Sequence, residues 1–241
     1  MPDTSRDDAV AVLVSGGIDS AILSVDLLDR FRVVHPIYVR FGLRWEAVEL
    51  ACLERFLDEV RGDRPGLMPL TILDEPVAAV YGAHWSTAGR TEVPEYDSPD
   101  EAVYLPGRNI LLAAKAAVWC RLRDVQALAF GVLRGNPFPD STPAFFQELA
   151  GVLNRGMDGR LAILRPFEQL TKVEVLQRGA GLPLHLTLSC LDPIEGRHCG
   201  HCNKCAERQR AFERAGMADR TSYALEPHPA PGSEPAVRLH D

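Results

Sequence analysis

Residues 9–28, with the sequence AVAVLVSGGIDSAILSVDLL, contain the features from which the fold of this chain can be inferred. A short apolar run ends in a serine and two glycines, and apolar side chains then recur at helical spacing. This pattern is typical of a buried parallel strand that turns directly into a helix. Glycine lets the backbone approach an oxyanion, and the first N–H groups of the helix point toward it. The stretch predicts an anion site, with a tight turn and a serine N-cap as the alternative.

The segment between the predicted strand and helix supplies the candidate ligands of this anion. Ser15 and Ser20 carry hydroxyl donors, and Gly16 and Gly17 bring successive backbone N–H groups toward the centre of the turn. A carboxylate at Asp19 would repel a bare phosphate, so we assign this residue to a bound Mg²⁺ ion or to organising the loop. The spacing differs from both the P-loop motif G-x-x-x-x-G-K-S/T and the dinucleotide motif G-x-G-x-x-G.

Strand-like and helix-like segments alternate along the rest of the chain. Further strands are predicted at residues 32–41, 66–73, 125–133 and 161–167, and helices at residues 44–62, 109–123, 144–157, 171–181 and 206–216. Because strand–helix–strand units build parallel sheets, we predict an α/β protein with a Rossmann-like, doubly wound, parallel five-stranded sheet. Residues 82–103 predict a long surface loop. The predicted domains are an α/β domain at 1–187, a cysteine-containing helical module at 188–217 and a proline-rich, flexible tail at 218–241.

Composition and charge limit the class of function. The chain has 241 residues, of which 46% are hydrophobic and 24% charged, as in an ordinary globular protein. Its net charge of −7 argues against generic nucleic-acid binding, which depends on cationic contacts to phosphates. No apolar run reaches the roughly 18 residues of a membrane helix, and the acidic N-terminus is unlike a secretory signal. We therefore expect a cytoplasmic protein without membrane contacts.

Four of the six cysteines lie close together near the C-terminus, in a C-x8-C-x2-C-x2-C pattern of Cys190, Cys199, Cys202 and Cys205. The two C-x2-C steps let neighbouring thiolates converge on one ion, and the first cysteine closes a tetrahedron, which predicts a structural zinc site. An iron–sulfur cluster also accepts four thiolates, and His198 or His201 could replace one of them. The remaining Cys52 and Cys120 stand alone in predicted helices and are predicted to be core residues.

Two further polar positions lie at predicted helix N-termini. In YLPGRNILLAAKA, residues 104–116, Arg108 and Asn109 begin a helix, where the helix dipole and a guanidinium group both favour an anion. A Pro-Gly turn with Asn109 as N-cap is the alternative. Thr171 and Glu174 predict a capping box, which places Lys172 in the first turn of its helix. Because the dipole disfavours a cation there, Lys172 is expected to have a partner, either a bound phosphate or an acidic neighbour.

Taken together, these motifs resemble one known group of enzymes. S-G-G-x-D-S at residues 15–20 is similar to the motif of the PP-loop ATP pyrophosphatases, which have a HUP-type fold and hold the pyrophosphate part of ATP. Y-x-P-x-R-N at residues 104–109, the stretch at residues 164–179 and the four-cysteine pattern resemble the 7-cyano-7-deazaguanine synthase family. The resemblance extends over most of residues 9–215.

The resemblance implies an ATP-dependent C–N ligase that converts 7-carboxy-7-deazaguanine and ammonia to 7-cyano-7-deazaguanine in the queuosine pathway. ATP would activate the carboxylate, ammonia would capture it as an amide, and a second activation would lead to dehydration. Catalytic roles are implied for Asp19, Arg108 and Lys172. Cofactor contacts are implied for these three residues, for Asn109, and for Val14, Ser15, Gly16, Gly17, Ile18 and Ser20. The implied cofactors are ATP, Mg²⁺ and structural Zn²⁺, and relatives suggest a homodimer.

The sequence departs from the family pattern in two segments. In GNPFPDSTPAFF, residues 135–146, Ser141 and Thr142 stand where the family has Cys and Arg. The missing arginine would be a natural partner for a substrate carboxylate. In VRFGLRWEAVEL, residues 39–50, Leu43 and Trp45 replace an amide and an imidazole. These departures concern the substrate rather than the use of ATP.

Substrate contacts are assigned to Arg44, Asn136 and Asp140, which lie in the two divergent segments. One alternative function is a divergent ligase that activates another carboxylate, or joins a deazaguanine to an amine of a protein or nucleic acid. Another is a nucleotide-binding module without turnover, against which the intact SGGIDS motif and Arg108 argue. An RNA thiolase is disfavoured, because it would need catalytic cysteines outside the metal set and a basic face.

Overall fold

The computed structural model describes residues 7–87 and 92–225. In these ranges the strands are β1 Asp7–Leu13, β2 Phe31–Arg40, β3 Thr71–Asp74, β4 Ala127–Ala129 and β5 Ala162–Leu164. The α-helices are α1 Ile18–Asp26, α2 Glu46–Arg61, α3 Ala78–Tyr81, α4 Arg108–Arg121, α5 Pro143–Met157, α6 Lys172–Arg178 and α7 Asn203–Arg214. No helix in the described ranges is long and apolar enough to cross a membrane.

The strands form one parallel sheet in the order β3-β2-β1-β4-β5, which confirms the predicted fold class. Alternate side chains of the central strand β1 pack on opposite faces of the sheet. Val10 and Val12 join one core with α1, α2 and α6, whereas Ala11 and Leu13 join a second core with α4 and α5. The chain runs outward from β1 to β3 and continues at β4 on the other side of β1. The carboxyl ends of β1 and β4 therefore flank the crevice where doubly wound sheets bind ligands.

Several elements differ in length from the sequence-based prediction. β4 and β5 have three residues each, fewer than the predicted segments, and the chain directly after β4 lines the crevice. The predicted strand at 66–73 starts regular pairing only at Thr71, and Leu67 makes an isolated bridge to Val34. α7 begins three residues earlier than predicted, with Cys202 as its N-cap. Such boundaries depend on pairing and capping partners that are remote in sequence.

The cysteine-containing module packs on the sheet domain, and its four cysteines share a core with side chains of β1, β2 and α4. Residues 218–225 of the predicted tail contact the cysteine-containing module: the backbone of His198 hydrogen bonds to Ser222 O and Ala224 N. The buried Arg208 also donates from Nε to Thr221 Oγ1 at 2.7 Å. The rest of the predicted tail, residues 226–241, and residues 88–91 of the predicted surface loop lie outside the described residues.

Candidate active site

The turn between β1 and α1 forms a cradle, residues 14–20, at the carboxyl edge of the sheet. The N-cap of α1 is Gly17, and no side chain caps the helix, so the alternative of a serine N-cap is wrong. The hydroxyl of Ser20 instead closes the loop: it accepts a hydrogen bond from Ser15 N at 3.1 Å and donates one to Gly17 O at 3.2 Å. The positive end of the α1 dipole is therefore left without a side-chain acceptor, as an anion site requires.

Of the two glycines in the cradle, Gly16 is the one whose backbone conformation and neighbours exclude a side chain. Its φ of +77° lies in the left-handed region, and a Cβ at this position would lie 2.7 Å from Glu49 Cγ and 3.1 Å from Glu49 O. Its carbonyl also accepts a hydrogen bond from Leu188 N at 2.9 Å. Gly17 has a φ of −74°, and a Cβ there would meet only ordinary contacts, the nearest to Ser15 Oγ at 3.4 Å. The close approach of α2 to the cradle thus depends on Gly16.

We expect Gly16→Ala to lower the free energy of unfolding by about 1–2 kcal/mol from the left-handed backbone alone, with a further loss from the contact with Glu49. Gly17→Ala is the matched control and should destabilise the protein less, because its backbone conformation suits alanine. Thermal or urea unfolding of the two variants measures the difference. Equal losses in both variants would contradict this account of the cradle.

Lys172 joins the cradle to the C-terminal part of the chain. The capping box of Thr171 and Glu174 is present and fixes the start of α6. Lys172 Nζ lies 2.7 Å from Asp19 Oδ2 and 3.0 Å from Glu207 Oε1, so its partners in the structure are acidic. Burial would lower the pKa of Lys172, but the two carboxylates raise it above its ordinary value. The second oxygen of Asp19, Oδ1, is buried without a hydrogen-bond partner among the described residues.

Arg108 and Asn109 lie at the start of α4, but Asn109 is not its N-cap, because Gly107 holds that position with a φ of +75°. Asn109 is instead fixed by Asp140: its backbone N donates to Asp140 Oδ2 at 3.2 Å and its Nδ2 donates to Asp140 O at 2.9 Å. The Nε atom of Arg108 is buried and has no hydrogen-bond partner within the described part of the chain. An unpaired guanidinium nitrogen beside the cradle is suited to an anionic ligand.

One continuous cleft brings most of the predicted residues together. Its first lobe lies between the cradle, the ends of β1 and β2, the start of α4 and the loop after β4. Its second lobe extends from the cradle to Lys172, α7 and residues 188–191 of the cysteine module. Asp19 and Arg108 line both lobes.

The three predicted substrate residues are placed differently. Asn136 and Asp140 line the first lobe, beside a stack of Tyr104 and Phe138 whose ring centroids are 5.2 Å apart. Arg44 is not among the residues that line either lobe, and its guanidinium group lies 2.8 Å from Asp192. The assignment of substrate contacts to these residues stays a prediction.

Sequence reasoning missed Glu49, which lines both lobes and is only 8% exposed. Its Oε2 accepts a hydrogen bond from Tyr38 Oη at 2.6 Å. Burial raises the pKa of Glu49 to about 7, although the Tyr38 hydrogen bond and the nearby Arg108 act to lower it. The available signal was a carboxylate on the apolar face of the predicted helix, four residues after Trp45 and four before Leu53.

The four cysteines of the module converge, with their Sγ atoms within 4.8 Å of one another, and could hold a metal ion. All four are buried, and Cys190 Sγ accepts backbone N–H groups from Asp192 at 3.4 Å and Cys199 at 3.2 Å. His198 does not take the place of a thiolate, because its Nε2 lies 3.0 Å from Ser189 N and accepts that hydrogen bond. Both Cys52 and Cys120 are buried core residues, as predicted.

The doubly wound parallel sheet, with a glycine-rich turn at its switch point, defines an α/β protein of the class that binds its ligand at the carboxyl edge of the sheet. Residues 9–216 match the family described as "Queuosine biosynthesis protein QueC", and the chain belongs to this family. The membership makes it an ATP-dependent enzyme of the PP-loop superfamily, within queuosine biosynthesis.

Two bacterial relatives agree with this assignment. The chain is similar to the 7-cyano-7-deazaguanine synthase of Anaeromyxobacter dehalogenans, with 31% identity over 92% of this chain and 98% of the relative. It is similar to that of Anaeromyxobacter sp. strain Fw109-5, with 33% identity over 88% of this chain and 94% of the relative. The solved U34-tRNA thiolase NcsA from Methanococcus maripaludis, with its 4Fe-4S cluster, aligns at 14% identity and a TM-score of 0.49, over 89% of this chain and 69% of that one.

Proposed function

We propose that this enzyme converts 7-carboxy-7-deazaguanine and ammonia to 7-cyano-7-deazaguanine with consumption of ATP. The observation that carries the proposal is the cleft at the switch point of the sheet. There, the uncapped start of α1 and Arg108, whose Nε has no hydrogen-bond partner among the described residues, line the same lobe. Both groups favour the negative charge of phosphates and of a carboxylate under activation.

In this proposal the cradle, residues 14–20, binds the pyrophosphate part of ATP. Arg108, supported by Asn109, stabilises the charge that develops when the substrate oxygen attacks a phosphorus atom. Lys172 holds Asp19 in place and carries a positive charge toward the phosphates. The buried, unpartnered Oδ1 of Asp19 suits one position on a Mg²⁺ ion, which usually takes one or two carboxylate ligands together with phosphates and water. Bound Mg²⁺ would neutralise phosphate charge during the transfer.

The product forms in two activations of the same carbon atom. The first activates the carboxylate, and ammonia displaces the activated oxygen to form an amide. The second activates the amide oxygen, and its departure with loss of the two N–H protons leaves the nitrile. Asn136 and Asp140, beside the stacked rings of Tyr104 and Phe138, are proposed to hold the planar deazapurine during both steps.

We propose that the four-cysteine site holds a structural Zn²⁺ ion. A tetrahedron with Zn–S bonds of about 2.3 Å places its sulfur atoms about 3.8 Å apart. Cys199 Sγ and Cys205 Sγ are 3.8 Å apart, and all four sulfurs lie within 4.8 Å. In an iron–sulfur cluster the cysteines bind different iron atoms, which separates their sulfurs further. The burial of the four sulfurs leaves no open position, which favours a structural role over a catalytic one.

A specific observation supports the alternative of a divergent ligase with another carboxylate substrate. Ser141, which stands at a divergent position, is 6% exposed, and its one hydroxyl proton is directed toward two acceptors, Asn136 Oδ1 at 2.7 Å and Phe138 O at 2.6 Å. It braces the loop and brings no cation into the cleft, so the substrate carboxylate would rely on Arg108. A substrate with a different ring system would fit the same description.

The two functions are separated by one assay. We expect the protein, incubated with ATP, Mg²⁺, ammonia and 7-carboxy-7-deazaguanine, to form the nitrile, detected by mass spectrometry together with ATP consumption. ATP consumption only with a different carboxylate, and no nitrile, would select the divergent ligase. No ATP consumption with any carboxylate would favour a nucleotide-binding module. Light scattering of the same sample tests the homodimer that we propose for the active form.

A further inference from the structure

The reaction in the proposed function needs a proton acceptor in the cleft. At neutral pH most ammonia is ammonium, which has no lone pair, and the amide must lose both N–H protons to become a nitrile. A positioned base contributes about 10²–10⁴-fold to such steps, most effectively when its pKa is close to the working pH. The described residues that line the cleft include no histidine, and its carboxylates are the side-chain candidates that we consider for the acceptor.

Four of these carboxylates are already bound by cations or by backbone N–H groups. Asp19 and Glu207 share the ammonium group of Lys172. Glu46 accepts two backbone N–H groups of the loop after β2, at 2.6 and 2.9 Å. Asp140 accepts the second N–H group of α4 at 3.2 Å. These contacts give the four carboxylates structural roles in positioning Lys172, the loop after β2 and the start of α4.

Glu49 differs from the other four in the partners of its carboxylate. Its hydrogen bonds come from neutral side chains, the phenol of Tyr38 on β2 and the side chain of Trp45 at the start of α2. The charged groups that act on it are Arg108 from α4 and Glu46 from its own helix, which have opposite effects. Burial is the largest influence and raises the pKa of Glu49 to about 7. Such a group exchanges a proton readily at neutral pH.

We propose that Glu49 is the general base of the reaction, which takes a proton first from ammonium and then from the nitrogen of the amide. This inference rests on the proposed function. In the first step the Glu49 carboxylate removes one proton from ammonium. The ammonia formed attacks the activated carbonyl carbon: a C–N bond forms, and the C–O bond to the activating phosphoryl group breaks with its electron pair on oxygen. The nitrogen then releases a second proton to solvent, which leaves the neutral amide.

Glu49 acts again after the amide oxygen has been activated. Its carboxylate, returned to the ionised form by proton loss to solvent, removes one N–H proton from the activated amide. The remaining C–O bond then breaks with its electron pair on oxygen, the last N–H proton is lost, and the C≡N bond is complete. Tyr38 keeps the carboxylate in one orientation through its 2.6 Å hydrogen bond, which makes Tyr38 a positioning residue.

The test compares Glu49→Gln with wild type, using two nucleophiles on the same activated carboxylate. Hydroxylamine is a free amine at neutral pH and needs no base, whereas ammonium does. We expect Glu49→Gln to form the hydroxamate at nearly the wild-type rate and to form the amide about 100-fold more slowly at pH 7. Raising the pH should restore amide formation in proportion to free ammonia. In wild type, the rate of amide formation should instead rise mainly around pH 7, where Glu49 becomes ionised.

Glu54→Gln, at an exposed position on the same helix, is the matched control and should form both products at the wild-type rates.

The outcomes of this experiment separate the role proposed for Glu49 from the proposed function of the enzyme. Amide formation by Glu49→Gln that falls by less than about tenfold at pH 7 would overturn the inference. Loss of both the hydroxamate and the amide would also overturn it, because Glu49 would then serve ATP activation or folding. If the wild-type protein makes no hydroxamate from 7-carboxy-7-deazaguanine, the proposed function itself fails, and the inference fails with it.

Discussion

Replacing Asp19 with alanine will reduce substrate-dependent ATP consumption by at least about 100-fold and leave the fold intact. Asp19 lies in the first turn of α1, inside the cradle, and its carboxylate contacts Lys172 Nζ at 2.7 Å. The variant loses the oxygen proposed for Mg²⁺, and it leaves Lys172 with Glu207 as its acidic partner. Both changes disturb the charged groups at the place where the phosphates of ATP are proposed to bind. The core does not depend on this side chain, which is one-quarter exposed.

The matched control is Asp26→Ala, at the other end of the same helix. Asp26 also pairs with a basic residue of α6, Arg178, at 3.1 Å, and its side chain is 21% exposed. The two variants therefore delete similar ion pairs between α1 and α6, but only Asp19 lies in the cleft. ATP consumption and thermal unfolding should be measured for both. Full activity of Asp19→Ala, or equal losses of activity in the two variants, would refute the role assigned to the cradle.

Cys202→Ser will reduce bound zinc from about one ion per chain to a small fraction and will strongly destabilise the fold. Cys202 is fully buried, is the N-cap of α7, and accepts a hydrogen bond from Leu191 N at its sulfur. Structural zinc sites contribute binding free energy directly to folding, so a defective site costs several kcal/mol. For a chain of this size, a loss of about 4 kcal/mol lowers Tm by roughly 8–16 °C. Metal analysis measures the loss of bound zinc, and thermal unfolding measures the loss of stability.

Cys52→Ser provides the same chemical change outside the metal set. Cys52 is also buried, on α2, and its sulfur accepts a hydrogen bond from Arg55 at 3.3 Å. This variant should keep its zinc and lose less stability than Cys202→Ser. Iron in place of zinc in the purified wild-type protein would contradict the proposed metal. A metal content unchanged by Cys202→Ser would contradict the ligand set.

The sheet, the cradle and the cysteine set could be predicted because each depends on a pattern of residues that are close together in the sequence. Val10 to Leu13 alternate between two cores, so both faces of β1 are apolar and the run reads as a buried parallel strand. The glycines of the cradle and the two C-x2-C steps occupy consecutive or near-consecutive positions. In such motifs the chain itself keeps the functional groups close together, and one sequence is enough to recognise them.

The rest of the site depends on contacts between distant segments. Lys172 and Asp19 are 153 residues apart, and only the packing of α6 against α1 makes them a pair. Arg44 and Asn136 both lie in divergent segments, yet Asn136 lines the cleft while Arg44 pairs with Asp192. The type and spacing of residues in the sequence do not show which of them pair with each other or line the cleft.

Glu49 marks the boundary between what the local pattern could determine and what required the folded chain. The pattern of α2 was sufficient to place this carboxylate on an apolar face. Its pKa and its position in the cleft depend on Tyr38 from β2, on Arg108 from α4, and on Gly16, whose missing Cβ admits α2 to the cradle. Desolvation and charge interactions act through space and depend on distances that the chain acquires only on folding. Local patterns therefore predicted an anion-binding cradle and a metal site, and tertiary packing decided which side chains line the cleft beside the cradle.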